Sequence, residues 1–225
     1  SFFRFFSLHV FLRKVAPMRQ VDLQKTPRAQ AFALWMQAPM PMVTLFQTMD
    51  VTRLVKQCKK RNISFHPVFC WCIGKAAARM KEFSLLPVGN CLMQFDRLAI
   101  NTIVKTNTGA IASCDIPYHK DLPTFYRRYR RLTRQVASTG APYEAGKDYM
   151  VIGTSALPQF PIEGAVNLYA GCFNNPFLIW GKYETHLFQT TLKLSFQFHH
   201  TQMDGEHGAK FFSYLQQELH RISLS

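Results

Sequence analysis

One stretch near the end of the chain, LKLSFQFHHTQMDGEHG at residues 192–208, constrains the fold more than any other. Apolar and polar side chains alternate along its first half, which is the period of a half-buried β-strand. The alternation predicts a strand that ends with His200 on its apolar face and His199 on its polar face. Because an imidazole is costly to bury without a partner, His200 needs either a hydrogen bond or a chemical task.

Composition narrows the class of protein around this strand. The 225 residues suit one domain with a sizeable core, and a hydrophobic fraction of 48% argues against a disordered chain. The formal net charge is +14, from 27 Lys and Arg against 13 Asp and Glu, which favours an anionic partner. A polyphosphate cofactor and a nucleic acid both fit that charge, and so does a well-solvated basic surface.

The cysteines and the N-terminus are less informative. Six cysteines are scattered without C-x-x-C spacing, so neither a disulfide framework nor a zinc ribbon is expected. A reducing, cytoplasmic location follows as the expectation. Residues 1–18 are basic and aromatic, partly leader-like, and their apolar run is too interrupted to span a bilayer. We expect them to form an arm or edge segment beside a domain of residues 19–225.

Helical and strand patterns mix along the chain without a strict strand–helix repeat. The predicted strands include AVNLYAGCF at 165–173, and a closing helix begins at about Glu206. The expected fold class is therefore α/β: a single-domain, two-layer sandwich in which helices cover a mixed β-sheet. A predicted helix at 121–138 carries five arginines from Arg127 to Arg134. A solvated helix face is favoured there over a nucleic-acid contact, because no nucleic-acid-binding motif accompanies it.

The motif H-H-x-x-x-D-G at residues 199–205 has a metal-binding interpretation, which the predicted strand argues against. Adjacent residues of a strand point to opposite faces, so His199 and His200 cannot both bind one ion. No metal is therefore expected. The chain also contains neither of the common glycine-rich nucleotide loops.

The same motif resembles the signature of the chloramphenicol acetyltransferases and the related dihydrolipoamide acyltransferases. Other segments resemble this family in the same order along the chain: PRAQAF (27–32), FHPVF (65–69), TSALP (154–158), GKY (181–183) and GAKFFSYLQQEL (208–219). The resemblance covers about residues 19–223, and the combination is far more specific than any one segment. It implies the layered fold of that family.

The resemblance also implies acyl transfer from acetyl-CoA, with roles for the residues in the matching segments. His200 would be the general base that takes the proton from an acceptor hydroxyl, a task that suits a neutral imidazole. Ser155 would donate a hydrogen bond to the oxyanion of the tetrahedral intermediate. Asp204 would pair with Arg28 and hold the turn of His200 in shape, so both would support the site without touching substrate.

Further implications of the resemblance concern partners. It implies acetyl-CoA as co-substrate, a small hydroxylated acceptor, and a homotrimer with active sites at subunit interfaces. Lys182 and Tyr183 are expected to contact CoA, whose phosphates suit the basic charge without any nucleic acid. The acceptor pocket is expected at four positions: Trp35, Val104, Phe173 and Ile179.

Departures from the family pattern fall on the acceptor side. Gln159 stands where the family has a tryptophan after S-A-x-P, and Ile179 stands where it has a threonine. The family's pocket aromatic on the middle strand falls near Val104 and Lys105. The acceptor side is therefore expected to differ, and chloramphenicol, with antibiotic resistance, is one candidate among small alcohols.

Two other functions stay open. A dihydrolipoamide acyltransferase core shares the motif, although nothing in these residues resembles the D-F-W-G stretch of that branch. A non-catalytic trimer of the same fold would use the basic helix at 121–138 as a docking face. The presence of both His200 and Ser155 counts against that second alternative, because a purely structural protein does not need either side chain.

Overall fold

The structure is a computed structural model, and it describes residues 18–224. The predicted N-terminal arm, residues 1–18, lies outside the described residues except for Met18, where the first strand begins. Residues 18–224 form ten strands, five α-helices and two short 3₁₀ turns.

The elements have the following bounds. The strands are β1 (Met18–Gln20), β2 (Met42–Asp50), β3 (Leu85–Val88), β4 (Cys91–Phe95), β5 (Arg97–Lys105), β6 (Ile111–Pro117), β7 (Tyr149–Ala156), β8 (Phe177–Trp180), β9 (Glu184–His186) and β10 (Gln189–His199). The helices are α1 (Ala29–Trp35), α2 (Thr52–Arg61), α3 (Phe65–Ala77), α4 (Leu122–Thr139) and α5 (Gly205–Arg221), and the 3₁₀ turns are Leu23–Lys25 and Lys81–Ser84.

The strands form two sheets. The larger has the order β2–β10–β8–β7–β5–β6, with β9 also paired to β10, and the smaller has the order β1–β4–β3. β7 runs parallel to both β5 and β8, whereas the other pairs are antiparallel. The predicted mixed sheet in a single α/β domain is confirmed.

The helices cover one face of the larger sheet. Ile100 in β5, Ile152 in β7 and Leu178 in β8 are fully buried, in one core with the helical residues Phe69 and Phe211. Because side chains alternate along a strand, the odd-numbered residues of β5, β7 and β8 point to the opposite, outer face of the sheet. Polar side chains can therefore stand on the outer face without entering the helical core.

α4 shows how local sequence sets the ends of a helix. The Thr124 amide donates to the carboxylate of the N-cap residue Asp121 at 2.9 Å, and Pro123 occupies the first turn. The helix ends at Gly140, whose φ of 72° lies in the left-handed region that glycine adopts most readily. None of the helices within residues 18–224 is long and apolar enough to cross a membrane.

A segment without regular secondary structure, residues 157–176, covers part of the outer face. The strand predicted at 165–173 is therefore wrong. The Asn167 carbonyl accepts a hydrogen bond from Gln197 Nε2 at 2.8 Å. This backbone group is therefore satisfied by a side chain of the sheet and not by the backbone of a neighbouring strand. A side-chain partner of this kind allows a backbone without regular secondary structure to keep its polar groups hydrogen-bonded. The local sequence pattern does not reveal such a partner.

The covering segment also changes the expected burial of β10. Its polar-face residues Ser195, Gln197 and His199 are buried, and His199 is only 1% exposed. The prediction of a half-buried strand is wrong in this respect, since both faces are covered. The alternation of side chains is nevertheless present, with Phe196 and Phe198 in the helical core.

Candidate active site

His200 lies in the turn between β10 and α5. Its backbone amide donates to the Pro41 carbonyl at 2.8 Å, which ties the turn to the residue before β2. Its ring stacks on the indole of Trp35, with ring centroids 4.3 Å apart and 12° between the planes. The backbone bond and the stacked ring together hold the imidazole in one position.

The two ring nitrogens of His200 have different surroundings. Nδ1 is buried and has no hydrogen-bond partner among residues 18–224. Nε2 also has no partner there, but it is not one of the buried atoms. A buried polar atom without a partner is rare in folded proteins and is a feature of functional sites. Nε2 is the nitrogen that an external molecule can reach.

Arg28 makes three contacts with the turn of His200. Its Nη2 donates to the His200 carbonyl, its Nε donates to the Thr201 carbonyl at 3.0 Å, and its Nη1 lies 2.9 Å from Asp204 Oδ2. The side chain of Arg28 is only 11% exposed. Because a guanidinium presents its donors in a rigid planar fork, these contacts fix the backbone that carries His200.

Asp204 connects the turn to α5, for which it is the N-cap residue. Its Oδ1 contacts Nδ1 of His207, and Nε2 of His207 lies 3.3 Å from Glu82 Oε1. Burial alone would raise the pKa of Asp204, but hydrogen bonds from Arg28 and His207 outweigh burial and lower it. Asp204 is therefore a carboxylate that joins Arg28 to the start of α5.

His199 is held differently from its neighbour. The Thr201 amide donates to its Nδ1 at 3.2 Å, and the Thr201 hydroxyl lies 2.8 Å from the same nitrogen. Because an amide can only donate, Nδ1 is the acceptor and the ring proton lies on Nε2. Burial, together with the nearby His200, lowers the pKa of His199 to about 4. His199 is therefore a neutral imidazole within the protein.

A cleft of about 1030 Å³ lies between the start of α3, α4 and the ends of β5 and β7. It is named the basic cleft here because Lys105, Arg130 and Lys182 line it. Ser155 and Tyr183 line the same space. Three residues predicted from the sequence, Ser155, Lys182 and Tyr183, are therefore brought together.

More cations continue from the basic cleft along α4. Arg127, Arg131 and Arg134 line an adjoining surface with Arg130, which belongs to both spaces. No carboxylate within residues 18–224 forms a salt bridge with any of these four arginines. A concentration of uncompensated positive charge at the mouth of a cleft attracts anions such as polyphosphates.

His66 lines the basic cleft from the first turn of α3. Its Nε2 lies 2.9 Å from Thr102 Oγ1, and its ring is 5.3 Å from that of Trp180. Burial lowers the pKa of His66 to about 4. His66 is therefore neutral at neutral pH and adds no charge to the cleft.

A second space of about 860 Å³, named here the sheet cavity, opens on the outer face of the larger sheet. Its floor is formed by residues of β5, β6 and β7: Asn101, Ser113, Asp115, Val151 and Gly153. Tyr169, Phe173 and Phe177 form an aromatic wall. Phe173, which the sequence predicts for an acceptor pocket, thus lines the sheet cavity.

The basic cleft reaches α3 and α4 around the ends of the strands, and it adjoins the sheet cavity along the outer face of β5 and β7. On β7, Val151 and Gly153 line the sheet cavity, and Ser155 lines the basic cleft. On β5, Asn101 lines the sheet cavity, and Ile103 lines the basic cleft. Side chains two residues apart on a strand are adjacent on one face. A molecule in the sheet cavity can therefore extend along β7 to Ser155.

Ser155 and His200 do not meet within one copy of the chain. Ser155 is in register with Ile179 of β8, which is in register with Ser195 of β10. His200 lies further along the chain, so Ser155 and His200 are roughly 15–20 Å apart at about 3.3 Å per residue and 4.8 Å per strand. Neither His200 nor Trp35 lines the cleft or the cavity. A site that uses both His200 and Ser155 needs two copies.

The four predicted acceptor-pocket residues are not gathered in one place. Trp35 stacks on His200, Phe173 lines the sheet cavity, and Ile179 lies beside Ser155 through the pairing of β7 with β8. Val104 packs against the helical core instead, because even-numbered residues of β5 face the helices.

Lys105 stands beside a position predicted for the acceptor pocket, whereas sequence patterns did not identify Asn101. Both are odd-numbered residues of β5, so the two-residue period of that strand could have placed them on the outer face, away from Val104. His66 and Arg130 meet only through tertiary structure, so no local pattern could have joined them. Within residues 18–224, no group of three or more His, Cys, Asp or Glu side chains is arranged to hold a metal ion.

The sequence is similar to those of known chloramphenicol acetyltransferases. A family model described as chloramphenicol acetyltransferase matches residues 17–216. Chloramphenicol acetyltransferase 2 of Escherichia coli is 24% identical over 201 residues, which cover 88% of this chain and 94% of that protein. Chloramphenicol acetyltransferase 3 of Escherichia coli is 25% identical over 181 residues, which cover 77% and 84%.

Solved structures show the same likeness. A chloramphenicol acetyltransferase superposes with a TM-score of 0.76 at 19% identity, covering 90% of this chain and 99% of that one. The cubic core of a pyruvate dehydrogenase multienzyme complex superposes with a TM-score of 0.63 at 18% identity, covering 85% and 86%. Both similarities establish a shared fold.

Proposed function

The chain belongs to the chloramphenicol acetyltransferase family and is an acyltransferase, and from that premise we propose its reaction. It moves the acetyl group of acetyl-CoA to a hydroxyl of a small molecule. His200 of one copy is the general base, and Ser155 of a neighbouring copy stabilises the oxyanion.

The proposed reaction transfers one acetyl group, and one proton moves with it from the acceptor to CoA. His200 Nε2 takes the proton of the acceptor hydroxyl while the hydroxyl oxygen attacks the thioester carbonyl carbon. Ser155 Oγ donates a hydrogen bond to the carbonyl oxygen, which becomes the oxyanion of the tetrahedral intermediate. Collapse of the intermediate breaks the C–S bond, and the CoA thiolate takes the proton from the imidazolium. The products are an acetate ester and CoA thiol.

The observation that carries this proposal is the immobilised imidazole of His200. It is stacked on Trp35, and the backbone of its turn is fixed by Arg28. Its Nδ1 is buried and has no partner in the described part of the chain, so Nε2 is the nitrogen that remains for a substrate. A ring that is held by stacking and by its backbone, and that makes no hydrogen bond to residues 18–224, fits a base that must meet a substrate in one orientation.

The basic cleft supports acetyl-CoA as the co-substrate. Its volume of about 1030 Å³ and its cations at Lys105, Arg130 and Lys182 suit an elongated thioester with phosphate groups. Ser155 lies in the same cleft and is thus available to the thioester carbonyl. The overall charge of +14 favours capture of the same anion.

Exposed apolar side chains support assembly into a homotrimer with interfacial sites. Leu168 is 86% exposed and Phe173 is 75% exposed, both on the segment that covers the outer face of the sheet. Large apolar side chains exposed together on one segment are typical of an interface between proteins. A second copy there would also bring a His200 toward Ser155, which one copy alone does not do.

The experiment measures CoA thiol release from acetyl-CoA, with chloramphenicol and then a panel of hydroxylated acceptors, for the wild type and His200→Ala. At least one acceptor is expected to give turnover that falls by at least about 100-fold in the variant, the usual contribution of a general base. His186→Ala, an exposed histidine of β9, is the matched control and should keep full activity.

The outcomes separate the alternatives. Turnover with chloramphenicol identifies a resistance-type enzyme, and turnover only with another alcohol keeps the mechanism and changes the acceptor. No His200-dependent release with any acceptor, together with no CoA binding, overturns the proposal in favour of a non-catalytic trimer.

A further inference from the structure

We propose that the sheet cavity binds the acceptor and selects a hydroxylated amine, a positively charged molecule rich in hydrogen-bond donors. This inference rests on the proposed acetyl transfer, and it assigns the chemical class of the molecule that receives the acetyl group.

Four amide side chains line the sheet cavity, those of Asn101, Asn167, Asn175 and Gln197, and all but Asn167 use their NH₂ groups inside the protein. The NH₂ groups of Asn175 and Gln197 donate to backbone carbonyls, and that of Asn101 donates to the Asp115 carboxylate, each at 2.8 Å. Carbonyl and carboxylate oxygens can only accept hydrogen bonds, so these partners fix which way each of the three engaged amides faces.

The orientation of the amides decides what a ligand meets. With the NH₂ groups engaged, the side-chain oxygens of Asn101, Asn175 and Gln197 are the free ends. No hydrogen bond within residues 18–224 reaches these oxygens, and none of the three is a buried, unpartnered atom. The cavity therefore presents several acceptors, which fit a ligand with O–H and N–H donors.

The charge of the sheet cavity is opposite to that of the whole chain. Two carboxylates, Asp115 and Glu144, line it against one ammonium group, that of Lys147. The chain as a whole carries +14, so a local excess of carboxylates is unexpected. A negative site in a basic protein favours a cationic ligand by direct attraction.

The aromatic wall suits the same ligand. Tyr169, Phe173 and Phe177 line the cavity beside its polar floor. Aromatic faces attract ammonium groups, most strongly where water is excluded. The ligand can then keep its ammonium group in the sheet cavity while its hydroxyl extends along β7 toward Ser155. A neutral nitroaromatic such as chloramphenicol has neither the charge nor the excess of donors.

The test compares two isosteric probes by calorimetric binding to the full chain. One is a dimethylamino-propanediol, which is protonated at neutral pH; the other is its carbon isostere, in which CH replaces the nitrogen. The tertiary amine cannot form a stable amide, so any acetylation measured later reports on the hydroxyls. The charged diol is expected to bind about tenfold more tightly than its isostere, as expected for one charge pair in a partly enclosed site.

Two variants locate the effect. Glu144→Gln is expected to reduce the ratio of the two affinities by several-fold, and Glu144→Lys should bring it to one or below. Glu144 is exposed, so neither change threatens the fold. Asp96→Asn removes an exposed carboxylate from the turn between β4 and β5 and should leave the ratio unchanged.

The result that overturns the inference is equal or tighter binding of the neutral isostere, no binding of either probe, or a ratio that Glu144→Lys does not change. Because binding is measured without acetyl-CoA, this result is separate from the fate of the proposed reaction. Loss of CoA release with all acceptors would end the proposed function, whereas a preference for the neutral diol would end only the assignment of the substrate class.

Discussion

His199 and His200 are adjacent residues, yet at the residue scale their imidazoles have different partners. His199 accepts a hydrogen bond from the Thr201 amide, whereas His200 has no hydrogen bond to either ring nitrogen within residues 18–224. The strand pattern separates the two histidines onto opposite faces. It cannot show that Trp35 stacks on one of them, because that contact joins residues far apart in the chain.

The first prediction at this scale concerns Ser155. Ser155→Ala should lower kcat by about 10²- to 10³-fold, because it removes a donor to the oxyanion, and should leave the KM for acetyl-CoA nearly unchanged. Steady-state kinetics with a productive acceptor measure both constants. Ser213→Ala, on the exposed side of α5, is the control. An unchanged kcat in Ser155→Ala would show that Ser155 does not meet the thioester.

The second prediction at this scale concerns pH and His199. Its pKa is about 4 in the folded state against 6.5 in the unfolded chain, so the unfolded state binds more protons between these values. The free energy of unfolding should therefore fall as pH drops from 6.5 toward 4. The loss from this one residue is on the order of 3 kcal/mol.

Denaturant unfolding at a series of pH values tests this prediction. His199→Gln should be less sensitive to pH than the wild type, because it removes one of the two histidines with a lowered pKa. His66, whose pKa burial also lowers to about 4, should account for much of the remaining slope. The same slope in His199→Gln as in the wild type would contradict the assignment.

At the element scale, the turn after β10 depends on a side chain from the start of α1. Arg28→Lys should lower kcat by about tenfold with little change in KM, since one ammonium group cannot replace three fixed contacts to the turn. The free energy of unfolding should fall by about 1–2 kcal/mol. Arg28 acts through the backbone of His200, so a large rise in KM would argue against this positioning role.

A matched control exists for the loss of stability. Arg53 Nε donates to the Ile222 carbonyl at 2.7 Å, far from the turn. Arg53→Lys should also lower the free energy of unfolding but leave kcat unchanged. If both variants lose kcat in proportion to their loss of stability, the lower kcat of Arg28→Lys reflects a general loss of stability. It would then give no support to a role of Arg28 in positioning His200.

Elements differ in how far the sequence predicts them. The helix predicted at 121–138 is present as α4, within one residue at each end. The alternation predicted for β10 is also present, but the strand ends at His199 and not at His200, which belongs to the turn. The segment 165–173 carries a strand-like composition, but its Asn167 carbonyl bonds to the side chain of Gln197 in β10. That partner depends on tertiary structure, which a local pattern does not contain.

At the scale of the whole molecule, the candidate site is divided between two regions of each copy. The register from β7 through β8 to β10 keeps Ser155 and His200 far apart in one chain. The sequence motifs alone do not give the distance between Ser155 and His200, because motifs give residue types and their order but not the register of the sheet. The resemblance in sequence implies an interfacial site, and this separation within one chain supports the proposal of one.

The most direct measurement mixes two inactive variants, His200→Ala and Ser155→Ala, denatures them together and refolds them as one population. Each variant keeps the residue that the other lacks, so mixed assemblies contain some complete sites. Acetyl transfer should return to about one quarter of the wild-type rate in an equal mixture, the random share of intact pairs in a symmetric oligomer. Variants refolded separately and then combined should stay inactive. No recovery after joint refolding would contradict the central claim that His200 and Ser155 act across an interface.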